Sequence, residues 1–129
     1  MGRFPEPHRS PKAPEDRAWD WHGTAEAEKT DALLQHGGWS AMATAHAWYD
    51  PDADPEHDPP REKGAYKLPH HELIDGELRV VWSGVRSAMQ ALRGARGGVD
   101  IPEEDRRAVY EHLAEHYRQF DREPPGLDD

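Results

Sequence analysis

The sequence predicts a mainly α-helical protein with a short β-hairpin, that is, a small α+β module, preceded by an extended, Pro-rich N-terminal arm. Three observations lead to this prediction. Apolar residues recur at helical spacing in two segments of the C-terminal half, an Asp75-Gly76 pair separates two short β-prone runs, and the first third is rich in Pro and charge. With 129 residues, 35% of them hydrophobic, the chain has room for one small core.

Composition shifts along the chain divide it into four predicted segments. They are an extended or disordered arm (1–16), a Trp-bearing helical arm with an acidic linker (17–63), a compact hairpin plus two-helix module (64–122) and an acidic tail (123–129). Caps, turns and apolar stripes agree with one another only in the third segment. We therefore expect the module to fold without the preceding residues and without a metal.

Two helices are predicted before the linker. Thr24 is a suitable N-cap for a helix over residues 25–36, which a Gly-Gly pair ends. Ser40 is a suitable cap for a second helix over residues 41–49. The apolar stripes of both helices are thin, so we expect them on the surface of the module or of a partner.

The linker, residues 50–63, alternates Asp and Glu with Pro in a manner similar to a calcium loop. An EF-hand needs Gly at its sixth position and Glu at its twelfth, where this chain has Pro55 and Arg61. We interpret the segment as a solvated loop without regular structure.

The predicted order within the module is an extended segment, a hairpin, a helix capped by Ser83, a glycine-rich connection and a helix that begins at Pro102: residues 66–71, 72–82, 83–93, 94–98 and 102–120. One of the glycines at 94, 97 and 98 is expected to take a positive φ. The core stripes consist of Val85, Met89 and Leu92 on the first helix and Val109, Leu113 and Phe120 on the second.

One motif has a catalytic spelling. His112, Glu115 and His116 match the H-x-x-E-H pattern of inverted zinc peptidases, in which two His bind Zn²⁺ and the Glu acts as base. Such a site needs a third ligand downstream, and only the acids of the 123–129 tail follow. We interpret both histidines as surface or half-buried side chains.

His70 and His71 are adjacent in an extended segment, where neighbouring side chains point to opposite sides. We therefore expect one to pack and the other to be exposed. No nucleophile elbow or phosphate-binding loop is present in the sequence. The sequence thus predicts no catalytic, cofactor-binding or metal-ligating residues, no cofactor and no enzymatic activity.

The formal net charge of −10 disfavours binding to nucleic acid. The helix, glycine turn and helix over residues 83–120 invite comparison with helix-turn-helix DNA readers, but the connection is too long and the second helix opens with three acids. The absence of Cys excludes disulfides and thiolate zinc sites, and no apolar run reaches the length of a membrane span.

Four of the five Trp lie in the polar first half of the chain: Trp19, Trp21, Trp39 and Trp48. Indoles in segments with little core of their own are useful as anchors in another surface. We predict these four as partner-binding residues.

The ordered segments AWYD (47–50), YKLPHH (66–71), DGEL (75–78), LRGARGGVDIP (92–102) and HLAEHY (112–117) resemble a small domain of tailed-phage head-morphogenesis proteins, which accompanies prohead-protease and capsid modules. The resemblance covers residues 17–125. It implies a non-enzymatic virion protein of the phage head, present in the host cytoplasm during assembly, that binds the major capsid protein or another head protein and can self-associate. The alternative is a head-assembly factor or a nucleic-acid-binding regulator that uses the two-helix module.

Overall fold

The computed structural model describes residues 11–21, 23–94 and 99–127, which form a mixed α+β fold. Within these ranges lie helices α1 (Gly23–Ala45), α2 (Trp82–Leu92) and α3 (Glu103–Gln119), and strands β1 (His46–Tyr49), β2 (Tyr66–Pro69), β3 (His71–Ile74) and β4 (Glu77–Val80). β1 pairs antiparallel with β2, and β3 with β4. None of the described helices is long and apolar enough to cross a membrane. The predicted small α+β class is thus confirmed.

The glycine pair interrupts α1 where the sequence predicts the end of one helix and the start of another. Gly38 has φ 67° and ψ −153°, so the helix breaks there and resumes in a new direction. The predicted second helix over residues 41–49 is correct only to Ala45, because residues 46–49 form β1. Local helix propensity in this short run is weak, and pairing with β2 overrides it.

The described part of the N-terminal arm lies beside β4. Ala13 N donates to Val80 O at 2.9 Å, and Val80 N donates to Pro11 O at 2.9 Å. Ala13 is buried by this contact. The remainder of the predicted extended arm, residues 1–10, lies outside the described residues.

The hairpin turn and the end of α2 follow their turn residues, but the predicted N-caps do not hold: Thr24 and Ser40 both lie inside α1. Asp75 and Gly76 both have positive φ, 52° and 77°, as a type I′ turn requires. Gly94 ends α2 with φ 104°, which confirms the predicted left-handed glycine, while residues 97 and 98 lie outside the described residues. Ser83 does not cap α2: the N-cap is Val81, and Ser83 Oγ donates instead to Arg17 O at 3.3 Å.

Hydrogen bonds to a carboxylate within the acidic linker stabilise its turns. Asp54 accepts hydrogen bonds from His57 Nδ1 at 2.8 Å and from the Arg61 backbone N–H at 2.9 Å. The Arg61 bond is the main cause of the lowered pKa of Asp54; desolvation opposes it, and the His57 bond adds a smaller lowering effect. Two short 3₁₀ turns lie at the ends of this loop, Pro51–Ala53 and Lys63–Ala65. The prediction that the linker has no regular structure is therefore wrong at its ends.

Two hydrophobic clusters make up the core. The larger one contains the predicted stripe residues of α2 and α3 together with residues from β1 and β2: Ala47, Trp48, Leu68, Val80, Trp82, Val85, Ala88, Met89, Leu92, Ile101, Val109, Tyr110, Leu113, Ala114, Tyr117 and Phe120. The smaller one joins α1 to β2: Trp21, Leu33, Ala41, Met42, Ala45, Ala65 and Tyr66. Both clusters draw on residues from before and after the linker.

Residues 17–63 and 64–122 therefore share one fold. Arg17 Nη2 lies 2.5 Å from Glu72 Oε2, and the Glu72 side chain is only 10% exposed. Trp48 Nε1 donates to Asp105 Oδ2 at 3.0 Å, and both residues are buried. These contacts cross the linker and hold the helical arm against the predicted module.

We expect stability to fall in acid because of His46, a buried side chain that packs against Trp21 and Tyr66 of the smaller cluster. Burial lowers the pKa of His46 to about 4, against a smaller opposing effect of its hydrogen bond with the Met42 carbonyl. Between about pH 6.5 and about pH 4 the unfolded chain binds a proton that the folded chain does not, so stability is full above this window and falls within it by about 3 kcal/mol.

Urea unfolding between pH 7 and pH 4 measures this loss. The matched variant is His46→Gln, which keeps an N–H donor for the Met42 carbonyl but does not titrate. Its stability is expected to depend less on pH over the same window. Equal pH dependence of the variant and the parent would contradict the assignment to His46.

Candidate functional site

Four buried histidines meet between α3 and the connection from β2 to β3. His70, His71 and His116 have 0% of their surface exposed and His112 has 1%. The ring centroid of His70 lies 4.6 Å from that of His71, 5.1 Å from that of His112 and 4.9 Å from that of His116. We call these four residues the histidine cluster.

The two histidines of α3 point inward because of their helical position. His112 and His116 are one turn apart, and they lie next to Leu113 and Tyr117 on the buried side of α3. The interpretation of both as surface or half-buried side chains is therefore wrong. Most of the charged residues near them in sequence are at least partly exposed. The high overall polarity of the segment therefore makes the two histidines look exposed as well.

The expectation that only one of His70 and His71 packs is also wrong, because both are fully buried. The alternation of side chains holds for a straight strand, but the backbone at Leu68 is left-handed, with φ 63°. β2 ends at Pro69 and β3 begins at His71, so the chain changes direction around His70. His70 N donates to Ala45 O and His70 O accepts from Val81 N, both at 2.9 Å, which fixes this bend.

The hydrogen bonds of two rings define their tautomers. His70 Nδ1 lies 3.0 Å from the carbonyl oxygen of Leu68, and His116 Nδ1 lies 3.0 Å from Gln119 Oε1. Since both partners are acceptors, each Nδ1 carries the proton and donates it. The Nε2 atom of each neutral ring is therefore unprotonated.

His70 is neutral at pH 7. Burial, and then the neighbouring His71, His116 and His112, hold the pKa of His70 well below its usual range. His70 Nε2 lies 3.2 Å from His112 Nε2, so one proton is shared between these two nitrogens as an N–H···N hydrogen bond. One ligand atom each of His70, His71 and His116 lie within 4.8 Å of one another, a spacing from which a metal ion could be held.

Glu115, the would-be catalytic base, does not share this environment. Its side chain is 33% exposed, and Glu115 Oε2 lies 3.3 Å from Arg118 Nη1 on the outside of α3. A hydrolytic zinc site needs an open position for water beside the base. The two histidines of the motif are buried instead, so the H-x-x-E-H motif does not place its histidines and its glutamate around one open site as in a zinc peptidase.

Sequence reasoning treated the two histidine pairs separately and missed their meeting. The available signal was that His112 and His116 share one helical face with the predicted core residues Val109 and Leu113. A histidine pair on an apolar stripe needs buried partners. The approach of His70 and His71 depends on the bend around Leu68 and could not be read from the sequence.

The four predicted partner-binding indoles occupy different environments. Trp48 is 5% exposed and Trp21 is 9% exposed, so both serve mainly as internal packing. Trp39 is partly exposed and stacks on Tyr66, with ring centroids 6.0 Å apart. Trp19 is also partly exposed, and stacks on Trp21 at 4.9 Å with the rings 11° from parallel. Of these four, Trp19 and Trp39 thus offer more indole surface to a partner than the buried Trp21 and Trp48 do.

Trp19 forms part of a surface groove of about 310 Å³, which we call the indole groove. It is lined by Trp19, Trp21, Glu26, Leu68, Pro69, Ser87, Ala88 and Ala91. The Trp19 ring lies directly on α2, since a Cβ at Gly84 would meet its atoms at 2.9 Å. Lys29 Nζ lies 5.8 Å from the ring centroids of both Trp19 and Trp21.

No protein-family model matches this chain, and neither a curated protein nor a solved structure matches it significantly. The resemblance to the phage head-morphogenesis domain therefore stays a prediction from the sequence.

Proposed function

We propose that this protein is a non-enzymatic interaction protein of a tailed-phage head, which binds the major capsid protein as a minor capsid or decoration protein. The observation that carries the proposal is the indole groove. It presents a partly exposed indole above apolar walls on an otherwise polar chain. The sequence resemblance over residues 17–125 supplies the phage context.

The groove is built in the manner of an interface anchor. Trp19 is fixed by its stack on Trp21 and by its close approach to Gly84, so little side-chain freedom remains to be lost on binding. Rigid aromatic residues in partly desolvated pockets supply much of the energy of protein interfaces. The alanines of α2 provide the apolar wall, and Glu26 and Ser87 provide a polar rim.

The histidine motif supports a non-enzymatic role. His112 and His116 are buried while Glu115 faces solvent beside Arg118, so a substrate bond cannot reach the histidines and the carboxylate together. The net charge of −10 supports a protein partner, because it opposes association with packaged DNA.

The experiment is co-sedimentation of the purified protein with phage heads, combined with mass spectrometry of the particles. Ser87→Arg fills the indole groove from an exposed position of α2 and leaves the core untouched. We expect it to weaken particle binding at least about tenfold, as loss of an anchor pocket does. Trp19→Ala is expected to act in the same direction.

Gln90→Arg is the matched control, since it places the same side chain on an exposed position of α2 outside the groove. It should bind particles as the parent does, and circular dichroism should show all three variants folded. The proposal is wrong if the protein does not associate with any head particle. Equal binding by the Ser87→Arg variant and the parent would show that the indole groove is not the surface that contacts the particle.

A further inference from the structure

We propose that the histidine cluster is a structural binding site for a divalent transition-metal ion of the Zn²⁺ class, held by imidazole nitrogens of His70, His71, His112 and His116. This inference is independent of the phage-head proposal. It differs from the sequence prediction of no metal ligands. The two histidine pairs are far apart in the sequence, and only the folded structure brings their rings together.

The spacing of the nitrogens fits a compact ion. Zn–N distances of 2.0–2.1 Å place neighbouring nitrogens of a tetrahedral site about 3.3 Å apart. His70 Nε2 and His112 Nε2 are already 3.2 Å apart. Ligand atoms of His70, His71 and His116 lie within 4.8 Å of one another, so rotation of these rings toward a common centre closes the site.

The ring tautomers are those of metal ligands. A ligating histidine usually donates its other N–H to a carbonyl or carboxylate, which fixes the ring and leaves the inner nitrogen unprotonated. His70 meets this condition through Leu68 O, and His116 meets it through Gln119 Oε1. Binding through both Nε2 atoms requires the proton that His112 Nε2 shares with His70 Nε2 to move to His112 Nδ1, so that His70 and His112 both ligate as neutral imidazoles.

The chemistry of the donors selects the class of ion. Neutral imidazole nitrogen suits Zn²⁺, Cu²⁺, Ni²⁺ and Co²⁺, whereas Mg²⁺ and Ca²⁺ require oxygen ligands. Four donors from this chain complete a tetrahedral shell without an open position, which is the pattern of structural rather than catalytic zinc. The four rings are at most 1% exposed, so the ion enters as the fold closes.

A structural ion at this place would connect two parts of the fold. His112 and His116 belong to α3, whereas His70 lies in the bend that is bonded to the end of α1 and to Val81 before α2. Coordination therefore ties α3 to the bend. Its expected consequence is a higher melting temperature of the whole chain, since a ligand that binds only the folded state stabilises that state.

The test uses the full chain, unfolded in the presence of a chelator, dialysed free of chelator, and refolded with Zn²⁺, with Co²⁺ or without metal, because the ion enters as the fold closes. We expect one equivalent of either ion to bind, a rise in melting temperature, and the intense visible absorption of tetrahedral Co²⁺. Mg²⁺ should produce none of these effects. Absence of stoichiometric Zn²⁺ binding by the folded chain would overturn the proposal in favour of a metal-free, hydrogen-bonded cluster.

Variants assign the ion to the cluster. His112→Gln should abolish the Co²⁺ absorption. Because a buried ligand variant can fail to fold, Gln119→Ala provides a second test at a partly exposed position: loss of the acceptor for His116 Nδ1 should weaken binding about 10- to 100-fold.

The matched controls are Gln90→Ala, an exposed glutamine on α2, and His57→Ala, a histidine of the linker paired with Asp54. Both should keep the affinity and the Co²⁺ spectrum of the parent. Loss of binding in His57→Ala, or unchanged binding in Gln119→Ala, would show that the ion sits elsewhere and would refute the assignment.

Discussion

Deleting residues 1–63 is expected to unfold the chain rather than to release a folded module over residues 64–122. The deletion removes β1, the pairing partner of β2, and with it Ala47 and Trp48 of the larger hydrophobic cluster. Loss of one large buried aromatic side chain alone costs about 3–5 kcal/mol. Because a whole domain is stable by only about 5–15 kcal/mol, the combined loss exceeds what the remainder supplies.

The sequence predicts instead that the 64–122 module folds without the preceding residues. The contacts across the linker contradict that prediction. The deletion also removes the partner of Glu72, the indole donor to Asp105 and the Ala45 carbonyl that accepts from His70. Loss of each partner leaves a buried polar group without its hydrogen bond or ion pair, which destabilises the folded state. Particle-binding experiments on this protein must therefore use point variants of the full chain.

Circular dichroism and amide NMR spectra of the 64–129 fragment measure the outcome. Deletion of residues 1–10 alone is the control, because every contact named above survives it. We expect the control to melt cooperatively and the fragment to give the narrow amide dispersion of an unfolded chain. A cooperative melt of the fragment would show that the linker does divide the protein into independent units.

The sequence predicts best where local chemistry decides the structure. The Asp75-Gly76 turn, the glycine end of α2 and the inward stripe of α3 were all predicted, because each depends on residues within one or two turns of chain. The kink of α1 at Gly38 follows from its glycine in the same way. These features needed no knowledge of the rest of the fold.

Predictions failed where a distant segment decides the structure. Residues 46–49 read as the end of a helix, but pairing with residues 66–69 makes them a strand. Ser83 was expected to cap α2, but its hydroxyl bonds to a carbonyl 66 residues earlier in the chain. Tertiary contacts of this kind leave no local pattern in the sequence.

The candidate sites show the same division. The indoles at positions 19 and 39 were identified as possible anchors from composition alone, but their exposure, and the burial of Trp21 and Trp48, depend on how α1 and β1 pack. Both halves of the histidine cluster are visible in the sequence as separate pairs. Their convergence needs the left-handed backbone at Leu68, a conformation that leucine seldom adopts and that no sequence rule predicts.

Leu113→Ala is expected to destabilise the chain by about 2–4 kcal/mol, because the truncation leaves a cavity in a closely packed core. Leu113 has 0% of its surface exposed and belongs to the larger hydrophobic cluster, where α3 packs against α2. The change removes apolar contact without introducing a polar group. It therefore tests whether the predicted stripe of α3 is the main support of the fold.

Urea unfolding in the presence of a chelator measures this cost, so that occupancy of the histidine cluster next to Leu113 does not contribute. The matched control is Leu73→Ala on β3, where the same side chain is only half-buried and lies outside both hydrophobic clusters. There the loss should be about 1 kcal/mol, since less apolar surface returns to water. If Leu113→Ala costs no more than Leu73→Ala, α3 does not pack on α2 through this residue, and the arrangement that buries His112 and His116 is wrong as well.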